Sequence, residues 1–292
     1  MKSESPPSIR RCCASTSEET MIGIMQGRLV PPEAGRIQAF PRERWAAEFP
    51  AAAEAGLEAI EWVYDTWGLG FNPLETEQGV DCIHRLSEEH RVAVRSVCAD
   101  YFMDFAFVRA GDAEREVRLE HLRRLLRHAA RVGVNRVVLP FVDQSAIRDA
   151  ADRDAAVDAL ERALPAAEAC GIELHLETSL APDDFAALLA RLPHPGIKVN
   201  YDSGNSSSLG YRPFEEFAAY GDRVGSVHIK DRVCGGGTVP LGEGDADFPA
   251  LFKALRRIDY RGDFVLQVAR GPEGDETAWA RKNRAFVEHY LK

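Results

Sequence analysis

Eight short apolar runs alternate with longer amphipathic segments from residue 21 to the end of the chain. Each run reads as a β-strand and each segment as an α-helix, which is the pattern of βα units around a parallel sheet. No linker interrupts the series, so we predict an α/β protein with a single (β/α)8 TIM barrel domain over residues 21–292, rather than an open doubly wound sheet. The predicted strands are 21–26, 59–63, 93–98, 136–141, 172–177, 197–202, 224–229 and 264–268, and the predicted helices lie near 42–56, 76–90, 112–132, 149–170, 182–192, 213–220, 247–258 and 275–291.

Composition limits the partners that such a barrel can have. The formal net charge is −10, which argues against a nucleic-acid partner because phosphate binding needs a basic surface. No apolar run reaches the roughly 18 residues of a membrane span, so we expect no membrane contact. Six cysteines without a CxxC pair indicate reduced thiols and a cytoplasmic protein. Residues 1–20 are polar and lack the apolar core of a secretory signal, so we expect a disordered leader, with Met21 as an alternative start.

Four strands in the second half of the chain each carry one metal-ligand type of side chain near the carboxyl end. These residues are Glu177, Asp202, His228 and Gln267, separated by 25, 26 and 39 positions. Local metal motifs place their ligands within a few residues, whereas neighbouring strands of a parallel barrel all end on one rim. Two carboxylates, an imidazole and an amide oxygen suit Mn²⁺, Mg²⁺, Co²⁺ or Zn²⁺. We therefore predict a divalent metal site at that rim.

Side chains two positions apart share one face of a strand, and this rule places further polar groups beside the predicted ligands. Polar side chains on the inward faces of adjacent strands indicate a site inside the barrel, because isolated polar groups are costly to bury. The sets that share a face are His175 with Glu177, Lys198 with Asn200 and Asp202, and Ser226 with His228 and Lys230.

A series of short motifs resembles one known family. The segments are QGRL at 26–29, IEW at 60–62, LHLETS at 174–179, YDSGN at 201–205, VHIKDR at 227–232 and LGEGDADFPALFKAL at 241–255. Together they resemble the sugar phosphate isomerase/epimerase superfamily, the xylose-isomerase-like TIM barrel group. The resemblance covers essentially residues 21–290, and its most specific segments are DSGN, HIKD and GEGDADF.

The resemblance implies metal ligands on strands five to eight, in the order Glu, Asp, His and Glu. Glu177, Asp202 and His228 match the first three, but Gln267 stands where the family pattern places the second glutamate. A glutamine amide has no basic site for proton transfer, which argues against a symmetric exchange between two glutamates. Asn205 is a second departure, since some ketose epimerases have a histidine there.

We therefore expect a divalent-metal-dependent sugar or sugar-phosphate isomerase or epimerase that works through an enediolate, with Glu177 as the base. Lys230 is the candidate proton donor, or holds a substrate oxygen; the alternative is an ion pair with Asp231 or Glu243. Two other functions stay open. The same groups would suit a sugar or polyol dehydratase, and Gln267 would suit a sugar-binding barrel with reduced catalysis.

The expected partner is a small sugar or sugar phosphate, and a homo-oligomer is compatible with the sequence. Arginines that follow strands one, seven and eight are placed to hold a phosphate or carboxylate. Inward-facing polar groups on strands one and two, and the amide after strand six, are candidates for the sugar hydroxyls. The predicted substrate-binding residues are Gln26, Arg28, Glu61, Asn205, Arg232 and Arg270.

Overall fold

A computed structural model describes residues 20–292 and shows a closed barrel of eight parallel strands. The strands neighbour one another in the order β1-β8-β7-β6-β5-β4-β3-β2, and pairing of β1 with both β2 and β8 closes the ring. The predicted single (β/α)8 barrel is confirmed. The strands are β1 (Ile22–Met25), β2 (Ala59–Val63), β3 (Ala93–Cys98), β4 (Arg136–Phe141), β5 (Glu173–Thr178), β6 (Ile197–Asp202), β7 (Val224–Ile229) and β8 (Phe264–Leu266).

One long helix follows each strand, close to its predicted position. The long helices are α1 (Glu48–Ala55), α2 (Glu77–His90), α3 (Asp112–Val132), α4 (Ala150–Cys170), α5 (Pro182–Ala190), α6 (Pro213–Tyr220), α7 (Phe248–Arg257) and α8 (Glu276–Leu291). Short helices at Tyr101–Asp104 and Ser203–Ser208, and a two-stranded hairpin of Asp231–Arg232 with Thr238–Val239, extend the loops at the carboxyl rim. None of the helices within residues 20–292 has the length and apolar character to cross a membrane.

Local chemistry sets the helix boundaries. Thr76 and Asp149 cap α2 and α4 by accepting hydrogen bonds from amides in the first turn. Gly133 ends α3 with a φ of 99°, a conformation that side chains with a Cβ rarely adopt. β8 ends at Leu266, so Gln267 lies just beyond the strand rather than inside it. The predicted leader, residues 1–20, falls outside the described residues except for Thr20.

The apolar core fills the layer between the strands and the helices. Trp62, the largest fully buried side chain there, packs against the rings of Phe40, Trp45 and Phe49 with centroid distances of 5.8, 5.7 and 6.4 Å. Its indole nitrogen donates to Asn72 at 3.0 Å, so its polar atom is also satisfied. Apolar packing on the outside of the strands leaves the inward faces free for the polar groups described below.

Candidate metal centre and active site

Glu177, Asp202 and His228 meet at the carboxyl rim of the barrel, as the sequence predicted. β5, β6 and β7 are adjacent, and Asp202 and His228 are paired in register. One ligand atom from each of the three residues lies within 4.8 Å of the others, and all three side chains are buried. His228 Nδ1 is 3.3 Å from Glu177 Oε2 and 3.9 Å from Asp202 Oδ2. This triad could hold a metal ion.

His228 lies between carboxylates on both sides of its ring. Its Nε2 is 2.6 Å from Glu61 Oε1, and its Nδ1 faces the triad, yet neither nitrogen makes a well-aligned hydrogen bond. Burial lowers the pKa of His228, but the charges of Glu61 and Glu177 outweigh that effect and raise it to about 10. The ring nitrogen Nδ1 faces two carboxylates and has no aligned hydrogen-bond partner. A cation bound between these three groups would satisfy it, so the donor set fits a divalent metal.

The carboxylate of Glu177 is held by two amides. Asn200 Nδ2 donates to Oε2 and Asn205 Nδ2 donates to Oε1, both at 2.7 Å. Asn200 is itself fixed by Ser226, whose hydroxyl donates to Asn200 Oδ1 at 2.6 Å. The Ser226 hydroxyl also lies 2.7 Å from His175 Nδ1. The polar side chains predicted on the inward faces of β5, β6 and β7 therefore form a buried column that orients Glu177.

The DSGN segment positions Asp202. Asp202 Oδ1 caps the short helix by accepting from the amides of Gly204 and Asn205 at 2.9 and 2.8 Å. Oδ2 remains directed toward His228 and Lys230. A Cβ on Gly204 would lie 2.6 Å from Lys230 Cγ, so any larger residue at position 204 would clash with the Lys230 side chain. The motif therefore fixes one carboxylate oxygen and leaves the other for a cation.

Lys230 joins this site instead of pairing with its predicted alternatives. Its Nζ lies 3.4 Å from Asp202 Oδ2, 3.2 Å from Asn205 Oδ1 and 3.3 Å from Gln267 Oε1. Asp231 accepts from the amides at 242, 244 and 246, so it organises the loop after β7. The ammonium group therefore stands beside the triad, where it can donate to a substrate oxygen.

Comparison with known proteins agrees with this geometry. Residues 49–290 match the family described as xylose isomerase-like TIM barrel. The chain belongs to this family.

Two relatives of known sequence are named as epimerases. The putative L-ribulose-5-phosphate 3-epimerase SgbU of Escherichia coli (strain K12) is 28% identical over 241 residues, which cover 77% of this chain and 83% of that protein. The L-ribulose-5-phosphate 3-epimerase UlaE of Escherichia coli (strain K12) is 26% identical over 257 residues, covering 81% of this chain and 90% of that protein.

Solved structures share the fold at lower identity. A structure of an L-ribulose 3-epimerase matches with a TM-score of 0.75 and 18% identity, covering 93% of this chain and 94% of that one. D-psicose 3-epimerase with D-tagatose from Clostridium cellulolyticum H10 matches with a TM-score of 0.74 and 14% identity, covering 94% of this chain and all of that one. The xylose isomerase-like fold is therefore shown, and the relatives indicate a sugar epimerase or isomerase.

A cavity of about 360 Å³ borders the triad of this xylose isomerase-like barrel, and Glu177 is part of its lining. Pockets of roughly 300–1,000 Å³ are typical for small-molecule ligands. Loops after β2, β3 and β4 contribute acids, and loops after β1 and β7 contribute cations. These acids are Asp65, Asp100, Asp104 and Asp143, with Glu177 of β5 as a fifth, and the cations are Arg28, Arg36, Lys230 and Arg232.

The three predicted anion-binding arginines differ in position. Arg28 and Arg232 line the cavity, whereas Arg270 does not. Arg28 donates to the carbonyls of Val268 and Ile37, and Arg232 donates to Asn205 Oδ1 and to the carbonyl at 236. Burial, and then the charge of Arg270, lowers the pKa of Arg28 to about 9. These guanidinium groups already support the loops that form the mouth.

Among the predicted hydroxyl-binding residues, only Asn205 lines the cavity. Glu61 and Gln26 are fully buried and do not line it, so their expected contact with substrate needs correction. Glu61 faces His228, and Gln26 Oε1 accepts from the Val63 amide at 3.0 Å. The alternation rule could not show that the partners of these two side chains enclose them, which is why their burial was not predicted.

The sequence interpretation missed several cavity residues, and two of them are linked to Gln267 by hydrogen bonds. Gln38, in the loop after β1, and Asp100, just after β3, both line the cavity. Gln267 Nε2 donates to Gln38 Oε1 at 3.0 Å, and Gln38 Nε2 donates to Asp100 Oδ2 at 2.6 Å. An acid two residues past Cys98, the last residue of a barrel strand, was the available signal for Asp100. No local pattern identifies Gln38, because its loop conformation places it there.

Proposed function

We propose that this protein is a divalent-metal-dependent isomerase or epimerase of a ketose or ketose phosphate, and that Glu177 removes a proton from the carbon next to the carbonyl. The observation that carries the proposal is the Glu177 carboxylate, held by two amides at the triad and facing the cavity. Removal of that proton gives an enediolate, which must be stabilised at its oxygens.

Glu177, Asp202 and His228 would hold the metal, with the Gln267 carbonyl oxygen as the proposed fourth ligand. Oxygen and imidazole ligands suit Mn²⁺, Mg²⁺, Co²⁺ or Zn²⁺. When bound, the cation would act as a Lewis acid that stabilises negative charge on substrate oxygens. Glu61 would hold the His228 ring in orientation from behind.

The chain's own residues account for the remaining steps. Asn200 and Asn205 fix the Glu177 carboxylate, so its direction is set before substrate enters. Lys230 carries an ammonium beside Asp202 and is placed to donate a hydrogen bond or a proton to a substrate oxygen. Arg28 and Arg232 in the cavity lining would favour a substrate that carries phosphate, as the names of the relatives suggest.

The test follows hydrogen exchange in heavy water. The protein is loaded with Mn²⁺ and incubated with L-ribulose 5-phosphate, L-ribulose or D-psicose, and nuclear magnetic resonance reads deuterium at the carbon next to the carbonyl. Wild type should exchange at least one ketose. Glu177→Gln should reduce exchange by about 10²- to 10⁴-fold while the fold persists.

Glu243→Gln is the matched control, since it neutralises an exposed glutamate in the loop between β7 and α7. Its exchange rate should equal that of wild type. Unchanged exchange in Glu177→Gln would reject Glu177 as the base. An ultraviolet enone absorbance would instead indicate dehydration, and absence of any reaction with wild type would favour a sugar-binding barrel.

A further inference from the structure

Arg36 differs from the other cations that line the cavity, because its donors are free. The residue is exposed in the loop after β1, and its guanidinium carbon lies 4.7 Å from the centre of the Trp67 ring, which lines the same cavity. Within residues 20–292, no protein group forms a side-chain hydrogen bond or an ion pair with Arg36. Its N–H donors are therefore available to a ligand that enters the cavity.

The other cations of the cavity already use their donors in the protein. Each of the three guanidinium nitrogens of Arg28 donates to a protein oxygen, and the same is true of Arg232. Lys230 Nζ lies within 3.4 Å of three protein oxygens. These groups add positive charge, but a substrate anion would compete with the bonds that they make to the loops. Arg36 has no such bond to give up.

Two arginines fix the backbone next to Arg36. The Ile37 carbonyl accepts from Arg28 Nη1 at 2.6 Å and from Arg270 Nε at 3.2 Å. The position of this loop is therefore set from both β1 and β8, while the guanidinium of Arg36 rests on the indole of Trp67. A cation–π contact uses the charge of the guanidinium and occupies none of its N–H donors.

The acid nearest in sequence to Trp67 does not take up these donors. Asp65 Oδ1 accepts from the Gly68 amide at 2.7 Å, and Oδ2 accepts from the Phe40 amide at 2.9 Å. Burial raises the pKa of Asp65, and the charge of Arg36 is among the effects that oppose the rise. The carboxylate thus interacts with Arg36 through its charge alone, and its oxygens are bonded to the main chain.

We propose that Arg36 binds the phosphate group of a phosphorylated ketose and is the residue that makes the protein select phosphate esters over free sugars. This inference rests on the proposed function. Arg36 and Glu177 line one cavity, so a single substrate can contact both. The planar guanidinium can donate two parallel hydrogen bonds to phosphate oxygens, and both partners are charged. Trp67 acts as a positioning residue, because it contacts the guanidinium rather than the phosphate.

The test compares a phosphate ester with the corresponding free sugar. Wild type, Arg36→Gln and Arg36→Lys, each loaded with Mn²⁺, are assayed with L-ribulose 5-phosphate and with L-ribulose. In Arg36→Gln the ratio of the two kcat/KM values should shift against the phosphate ester by about 10- to 100-fold, because charge-assisted hydrogen bonds are lost. Arg36→Lys should keep part of the preference, since the charge remains without the planar pair of donors.

Arg44→Gln is the matched control, because it removes an exposed arginine of the same segment that does not line this cavity. Its ratio should equal that of wild type. A general disturbance of the fold or of metal binding would lower both kcat/KM values together, so it would not produce the expected shift. A ratio in Arg36→Gln equal to that of wild type would overturn the assignment.

A binding measurement tests Arg36 independently of turnover. Calorimetry follows inorganic phosphate binding to the full-length protein without added metal, so that phosphate cannot bind the cation. Arg36→Gln should weaken binding by about 10- to 100-fold, and Trp67→Leu by about 2- to 5-fold. Equal phosphate affinity in wild type and Arg36→Gln would overturn the assignment. Failure of wild type to react with any ketose would reject the proposed function, whereas this titration would still decide whether Arg36 binds phosphate.

Discussion

Glu61 lies directly behind His228, with 2.6 Å between Oε1 and Nε2, and both side chains are fully buried. Carboxylates in this position fix the orientation of a metal-binding imidazole and raise its basicity. We expect Glu61→Gln to weaken Mn²⁺ binding by roughly 10- to 100-fold, because the amide gives a weaker partner to the ring. Calorimetric titration measures this. Glu215→Gln, an exposed substitution in α6, is the control; equal affinity in both variants would contradict the proposed role of Glu61.

Metal binding should release close to one proton from His228. The raised pKa, about 10, means that the ring is protonated in the metal-free protein at pH 7.5, whereas a metal-bound ring must lose that proton. Protonation of His228 stabilises the metal-free folded state. This stabilisation is fully present below the ordinary histidine pKa of about 6.5 and is lost as pH rises through about 10. Metal affinity should rise by up to about tenfold per pH unit in between. Calorimetry in two buffers of different ionisation enthalpy counts the protons, and a count near zero would contradict the prediction.

Gln267→Glu should tighten Mn²⁺ binding. The substitution adds a negative charge next to the triad, where it also neutralises the effect of Lys230 on an incoming cation. Thr238→Glu adds the same charge elsewhere on the cavity wall and is the matched control. A calorimetric titration in which Gln267→Glu binds metal no more tightly than wild type would exclude Gln267 as a ligand.

Glu48 should make the protein less stable as pH rises from about 4.5 to about 7. Burial raises its pKa to about 7, while the hydrogen bonds from Leu29 and Gly27 oppose the rise. The folded state therefore binds an extra proton in this window, and ionisation above it costs up to about 3 kcal/mol in the free energy of unfolding. Glu48→Gln should flatten this pH dependence. Urea unfolding at pH 5 and pH 8 tests it, with exposed Glu54→Gln in the same helix as control; a slope unchanged by Glu48→Gln would count against it.

The sequence predicted the barrel and the triad because both follow from local rules. Apolar periodicity marks each strand, and the carboxyl ends of parallel strands meet at one rim, so Glu177, Asp202 and His228 had to be neighbours. Side-chain alternation also gave the inward direction of Asn200 and Ser226. These inferences need only the strand register and no knowledge of loop conformation.

The rest of the site depends on how the loops cross the rim. Gln38 reaches the cavity because the loop after β1 folds over the barrel, and no periodic pattern encodes that path. Arg28 donates to the Val268 carbonyl and Arg232 donates to Asn205 Oδ1, and both partners follow other strands, so these contacts could not be predicted from the sequence. Burial was equally hidden, which is why Glu61 was expected to contact substrate although it is fully buried against His228.

The buried column described above begins at Glu173, whose Oε2 lies 3.0 Å from His175 Nε2, near the amino-terminal rim. It ends at Glu177, so a continuous line of polar contacts joins the two ends of the barrel through Ser226 and Asn200. Substitutions near the amino-terminal rim are therefore expected to affect the position of Glu177. Apolar residues at positions 175 and 226 would pack better and could be selected in directed evolution for thermal stability. Replacing His175 or Ser226 in this way should lower the turnover rate, because Glu177 would lose the hydrogen bonds that orient its carboxylate.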